Sequence, residues 1–111
     1  NNVVYLDYLQ EARLRALMQI DYADILKFSQ VMAHQSIEFR KPILYSTDPL
    51  TIKVWISSVG NTSYRMKYRI FNEVGELAAE AESVMVCFDN DKAVPIPDKL
   101  RSALQSILEV E

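Results

Sequence analysis

Apolar and polar positions change period once the chain has run about a quarter of its length. From Val3 to about Met18 the run VVYLDYLQEARLRALM carries helix formers and neither Gly nor Pro. Tyr5, Leu9, Ala12 and Ala16 recur at helical spacing, and Leu6, Leu17 and Ile20 widen the stripe. Apolar residues on more than one side predict a largely buried helix, for which Asn1 or Asn2 is a good N-cap. Asp21 to Gln30 is mixed, a short helical turn or a loop. Segments of period two follow. Val31 to Arg40 alternates with Met32, His34, Ser36, Glu38 and Arg40 on one face, and Pro42 closes it because proline cannot donate to a ladder. Leu50 to Ser58 sets Leu50, Ile52, Val54 and Ile56 against Thr51, Lys53, Trp55 and Ser57, and Gly60-Asn61 marks a turn.

In Ser63 to Phe71, Tyr64, Met66, Tyr68 and Ile70 point one way while Arg65, Lys67 and Arg69 point the other. Asn72-Glu73-Val74-Gly75 reads as a hairpin turn. Glu76 to Asp89 is a long strand, with Leu77, Ala79, Ala81, Ser83, Met85 and Cys87 opposing Ala78, Glu80, Glu82, Val84, Val86 and Phe88. Pro95-Ile96-Pro97 is an extended connector, and Pro97 or Asp98 opens a last helix to about Leu108. A helix followed by strands joined mostly by short turns predicts an α+β domain: an antiparallel sheet with one long helix on its apolar face.

Composition narrows the picture. With 111 residues, 12.8 kDa and 50% apolar residues, the chain fits one domain over 1–111. A net charge of -3 and a pI near 5.1 argue against nucleic acid or an anionic membrane as partner, so an anionic ligand needs a local basic patch. One cysteine, Cys87, excludes an internal disulfide, and one histidine, His34, leaves no Cys/His set for structural zinc. These counts suit a reducing cytoplasm. No apolar run reaches the ~18 residues needed to span a bilayer, and Asn1 to Tyr5 lacks the basic start of a signal peptide.

Several residues could carry chemistry. Arg65, Lys67 and Arg69 lie ~6.8 Å apart along one sheet face, as an anion-binding row, a solvated face, or partners of Glu80 and Glu82 across the strands. Asp7 and Glu11 share a helix face, and Glu11 has Arg15 one turn on as a salt-bridge partner. His34 reads as a hydrogen-bonded interface histidine and Cys87 as a small core residue. An exposed Trp55 on the basic face would mark an oligomer interface.

The stretches Asn1-Asn2-x-x-Tyr5-Leu6-x-Tyr8-Leu9-x-Glu11-Ala12-Arg13, Glu38-Phe39-Arg40-Lys41-Pro42, Gly60-Asn61-Thr62-Ser63 and Val86-Cys87-Phe88-Asp89, the last with Lys92-Ala93-Val94-Pro95-Ile96-Pro97, occur in this order along nearly the whole chain. Together they resemble the hotdog-fold acyl-CoA thioesterases of the 4-hydroxybenzoyl-CoA thioesterase type. The resemblance implies a sheet wrapped around the long helix, paired edge to edge into a homodimer and often a homotetramer, with active sites at the dimer interface. It implies no cofactor, coenzyme A being part of the substrate. In that family Asn-Asn ends the motif Asp-x-x-Gly-His-x-Asn-Asn, whose aspartate is catalytic and which follows a first strand. The expectation is that this strand and motif precede Asn1 in the natural protein; the alternative is a domain that lacks its base.

Carried over by resemblance, the backbone N–H of Asn2 would donate to the thioester oxygen at the helix N-terminus, where unpaired amides and the macrodipole favour developing negative charge. Otherwise Asn2 is an ordinary N-cap. Glu11 is the reserve catalytic carboxylate, because some hotdog thioesterases use a helix glutamate. The row Arg65, Lys67, Arg69, or the pair Arg40-Lys41, would hold the phosphates of coenzyme A. Tyr5, Tyr8 and Leu9 with Tyr64, Met66 and Tyr68 would line an acyl pocket, or simply form the helix–sheet core. The function so implied is acyl-CoA hydrolysis to free acid and coenzyme A. The alternative is a non-catalytic hotdog module that binds acyl-CoA or a partner; a dehydratase ranks last, because its histidine belongs near the helix start and His34 sits on a strand.

Overall fold

The computed structural model describes residues 8–13, 15, 29–41, 51–72 and 74–109. Residues 8–13 and 15 are helical (α1), and Leu9 is completely buried, as the predicted stripe requires. The long strands are β1 (Gln30–Phe39), β2 (Thr51–Val59), β3 (Ser63–Phe71) and β4 (Leu77–Asp89), all paired antiparallel in the order β1-β4-β3-β2. A short β5 (Lys92–Ala93) pairs with β4, and α2 (Asp98–Ser106) follows. The chain is thus α+β, with the long strands within a residue or two of their expected bounds.

Turn chemistry explains the connections. At β3–β4, Asn72 Oδ1 accepts the backbone N–H groups of Val74 and Glu76 at 3.1 and 2.9 Å, and Gly75 takes a φ of 83°. That positive φ is unstrained only without a Cβ. Between β4 and β5, Asn90 and Asp91 have φ values of 50° and 62°. Two consecutive left-handed residues make the two-residue turn whose twist matches a hairpin, and Asn and Asp tolerate that region better than other side chains. The Asn-Asp pair was the signal for this hairpin, which the alternation pattern passed over.

Three bulges alter the expected faces. In β4, Ile70↔Ala79 is followed by Phe71↔Leu77, so Ala78 is the extra residue and Leu77, expected on the face of Ala79, falls on the opposite one with Phe71. β1 opposes β4 as Met32↔Met85 and then His34↔Val84, so Ala33 is an extra residue and the side-chain phase flips there. Met32 shares the inner face with Met85, whereas His34, Ser36 and Glu38 fall on the outer face with Val84, Glu82 and Glu80. Gln35, Ile37 and Phe39 turn inward. The strict alternation that grouped Met32 with His34 is therefore corrected by one residue. Likewise Ser57 is passed over between Ile56↔Met66 and Ser58↔Arg65, so Ser58 takes the outer position expected for Ser57.

The core lies on the inner face, where Ile56, Tyr64, Met66, Tyr68, Ile70, Ala79, Ala81, Met85 and Cys87 are buried with Leu9. At the β2 side Ile96, Leu100 and Leu104 complete it. Arg101 Nη2 and the Ile96 N–H both donate to the Asn61 carbonyl, at 3.0 and 2.8 Å, and fix α2 to the β2–β3 turn. Beyond α2, Leu108 bridges Ile56 in parallel fashion, and the Glu109 N–H donates to the Ile56 carbonyl at 2.9 Å.

Candidate active site

The sheet presents two chemically distinct faces. On the inner one, Tyr68 OH donates to Ser83 Oγ at 2.8 Å, both groups being buried. Tyr64 OH donates to Gln30 Oε1, and burial pushes its phenol above tyrosine's ordinary range. Arg13 of α1 reaches β1 through Nη1, 3.6 Å from Met32 Sδ. Burial likewise raises the Cys87 thiol, which suits the expected core role.

On the outer face the register sets Glu80 against Arg69 and Glu82 against Lys67, with Glu38 beside Glu80. Arg65 Nη1 lies 2.6 Å from Glu82 Oε1, Arg69 Nε 3.6 Å from Glu80 Oε1, and Arg40 Nη2 2.6 Å from Glu80 Oε2. Lys41 pairs with Glu76. The basic row is thus interleaved with carboxylates. Trp55 belongs to this face but is only 7% exposed, since Lys53 Nζ and Arg69 Cζ lie 5.4 and 5.2 Å from its ring centroid. Its indole is a platform for cations of its own chain, and not the exposed tryptophan that would mark an interface. Ser36, Glu38, Trp55, Lys67, Glu80 and Glu82 line a groove of about 380 Å³ here.

Electrostatics tie this face to pH. Glu80 is held below the ordinary carboxylate range, chiefly by the Arg40 hydrogen bond, with the charges of Arg40, Arg69 and Lys67 acting in the same direction against the opposing effect of burial. A carboxylate depressed in the folded state adds stability above its unfolded value, and that stability is lost as pH falls through the folded one. Glu80→Gln should therefore melt slightly below the wild type at pH 7. The gap should close in acid as wild-type Glu80 protonates; thermal melts from about pH 7 down to about pH 2 measure it, and a constant gap would mean that the pair is not what Glu80 contributes.

The remaining candidates are scattered. Glu11 is exposed and bonded to Arg15 at 2.6 Å, the i,i+4 pair its spacing predicted. His34 is exposed on the outer face. Asn2, Tyr5 and Asp7 lie outside the described residues. Among the described residues no His, Cys, Asp and Glu side chains cluster as a metal site, and no helix is long and apolar enough to cross a membrane. The residue that alternation missed is Gln35: the Ala33 bulge turns it to the inner face, where its Nε2 is buried without a hydrogen-bond partner among the described residues.

The family model described as the thioesterase-like superfamily matches residues 1–104, which takes in α1, the whole sheet and most of α2. The chain belongs to the thioesterase-like superfamily. A thioesterase from Thermus thermophilus, crystallised with coenzyme A and Zn, superposes with a TM-score of 0.80 at 28% identity, over 96% of this chain and 78% of that one. YbaW, a probable thioesterase from Escherichia coli, gives 0.82 at 28% identity, over 98% and 86% of the two chains. A predicted thioesterase from Bacillus stearothermophilus, at 23% identity, agrees in fold with a TM-score of 0.85 over 100% and 84%. No curated protein sequence matches the chain. This superfamily member therefore has the hotdog fold that the motif order implied, and the superfamily match and the thioesterase neighbours support thioester hydrolysis in general.

Proposed function

We propose that the protein is an acyl-CoA thioesterase of the 4-hydroxybenzoyl-CoA thioesterase type, hydrolysing an acyl-CoA to free acid and coenzyme A. The observation that carries this reading is the family match over residues 1–104, joined by 28% identity to a thioesterase crystallised with coenzyme A. The Asn2 N–H is the proposed oxyanion donor, with an aspartate upstream of Asn1 as base or nucleophile and Glu11 as the reserve carboxylate. Water attacks the thioester carbon, the C–S bond breaks, and coenzyme A leaves as the thiol. Tyr5 is assigned to the acyl pocket. Arg65, Lys67 and Arg69, or Arg40 and Lys41, hold the phosphates: arginine offers several donors, so a guanidinium that gives one to a glutamate still has others for phosphate oxygens.

The proposed assembly is a homodimer across the outer edge of β1, which can double to a tetramer in the family manner; β1 ends the strand order and exposes Val31, Met32 and Phe39 by 43–45%. Light scattering should give at least twice 12.8 kDa, and a monomer would remove the edge-pairing proposal. The activity test is free-thiol release from aliphatic and aromatic acyl-CoAs by the full-length protein. Turnover well above the spontaneous rate is expected. Tight acyl-CoA binding without turnover would instead establish the binding-module alternative.

A further inference from the structure

We propose that Gln35 is a specificity-determining residue that donates a hydrogen bond to an oxygen carried by the acyl group, so that the preferred substrates are hydroxy-, keto- or otherwise oxygenated acyl thioesters. The proposal rests on the thioesterase reading and deepens it.

Its first support is the bulge. Without Ala33, the inward phase set by Met32 would continue through His34 and Ser36; with it, Gln35 is brought to the inner face opposite Ser83. Bulges recur beside active sites, where they re-aim side chains. The second support is independent of the first: Gln35 Nε2 is buried with no partner among the described residues. Buried polar atoms in folded proteins are nearly always bonded, so an orphaned donor calls for an acceptor that the described residues do not supply. The hydroxyl next to it is also poised to donate, since Ser83 Oγ accepts from Tyr68 OH and retains its own proton. Two donors on adjacent strands face one apolar layer.

Access is built into the same strand. Met32 and Phe39 flank Gln35 on the inner face of β1 and are 45% and 43% exposed, whereas the inner residues of β3 and β4 are closed. β1 ends the strand order, so Met32, Gln35, Ile37 and Phe39 lie on the inner face at the edge proposed as the subunit seam, where an acyl group bound at that seam reaches Gln35 without crossing the sealed core. A plain hydrocarbon would leave the Gln35 donor unpaired, while an oxygen at the right carbon pairs it. Sites that hydrogen-bond a substrate oxygen reject analogues without one far better than apolar pockets reject an added methylene.

The test compares kcat/KM for octanoyl-CoA with octanoyl-CoAs carrying one hydroxyl or keto group at successive carbons, and benzoyl-CoA with 4-hydroxybenzoyl-CoA. The wild type should prefer at least one oxygenated member by about tenfold or more. Gln35→Met, which keeps the volume, and Gln35→Leu, should bring that ratio close to one while still hydrolysing the plain acyl-CoA. An unchanged ratio in a folded variant, or no oxygenated preference in the wild type, overturns the proposal. Loss of the dimer with a lower melting temperature in Gln35→Met also overturns it, by assigning the donor to a subunit contact. Should the wild type hydrolyse none of them, the thioesterase reading fails by itself. The ratio is then read from calorimetric binding of the same acyl groups as thioether analogues of coenzyme A: a preference abolished by Gln35→Met supports the proposal, and equal affinities or no binding overturn it.

Discussion

Ile56→Ala is expected to lower the melting temperature by roughly 10–20 °C. Ile56 is wholly buried on the inner face of β2, opposite Met66, and belongs to the buried cluster that includes Leu100 and Leu104 of α2. Its own backbone is held on two sides, by β3 and by the Glu109 N–H. Removing most of its side chain therefore leaves a void whose walls cannot close, and the cost of such a deletion depends on how far the site collapses. Ile52, on the same face and half-buried near the strand start, provides the control. Ile52→Ala should shift the midpoint by less than half as much. Equal shifts in thermal melts would mean that the α2 contact does not seal this part of the core.

The contrast between those two residues also shows what a sequence can and cannot disclose. Alternation in Ser63 to Phe71 is strict, so both faces of β3 were legible: Tyr64, Met66, Tyr68 and Ile70 are buried as expected. In β4 the expectation holds from Ala79 on, where Ala79, Ala81 and Ser83 face inward, but not for Leu77, which the bulge at Ala78 sets opposite Phe71. In β1 and β2 alternation failed after the bulged residue, because an extra residue leaves no mark on composition. Gln35 was consequently unreadable as an inner-face group. Trp55 failed for another reason. Its face was right, but its exposure depended on Lys53 and Arg69 folding over the ring, which is a tertiary event between β2 and β3. The ion pairs of Arg65 and Arg69 with Glu82 and Glu80 were among the alternatives, since opposite charges on one face of neighbouring strands can be paired from the register alone. The choice of partner still required the sheet order.

Those pairings dictate how the proposed phosphate row must be tested. Reversing Arg65 alone would set a glutamate beside Glu82 and perturb the sheet as well as any ligand, so a loss of affinity would have two causes. Neutralising both partners, Arg65→Gln with Glu82→Gln, removes the pair without setting a like charge beside Glu82 or Lys67 and leaves the net charge at -3. Since exposed pairs of this kind contribute little, the melting temperature should stay within about 3 °C of the wild type. A charge-assisted phosphate contact contributes roughly 1.5–3 kcal/mol, so KM for an acyl-CoA should rise by about 10- to 100-fold. The matching N-acetylcysteamine thioester has no nucleotide and should keep its KM. Raised ionic strength should shrink the difference between the two substrates in the wild type, because it screens contacts on this open face. If both substrates lose equally, Arg65 acts on the shared acyl and thioester region. If neither changes, the row is structural and the phosphates belong to Arg40 and Lys41, whose guanidinium and ammonium groups lie at the far end of β1 with Glu80 and Glu76 as their partners.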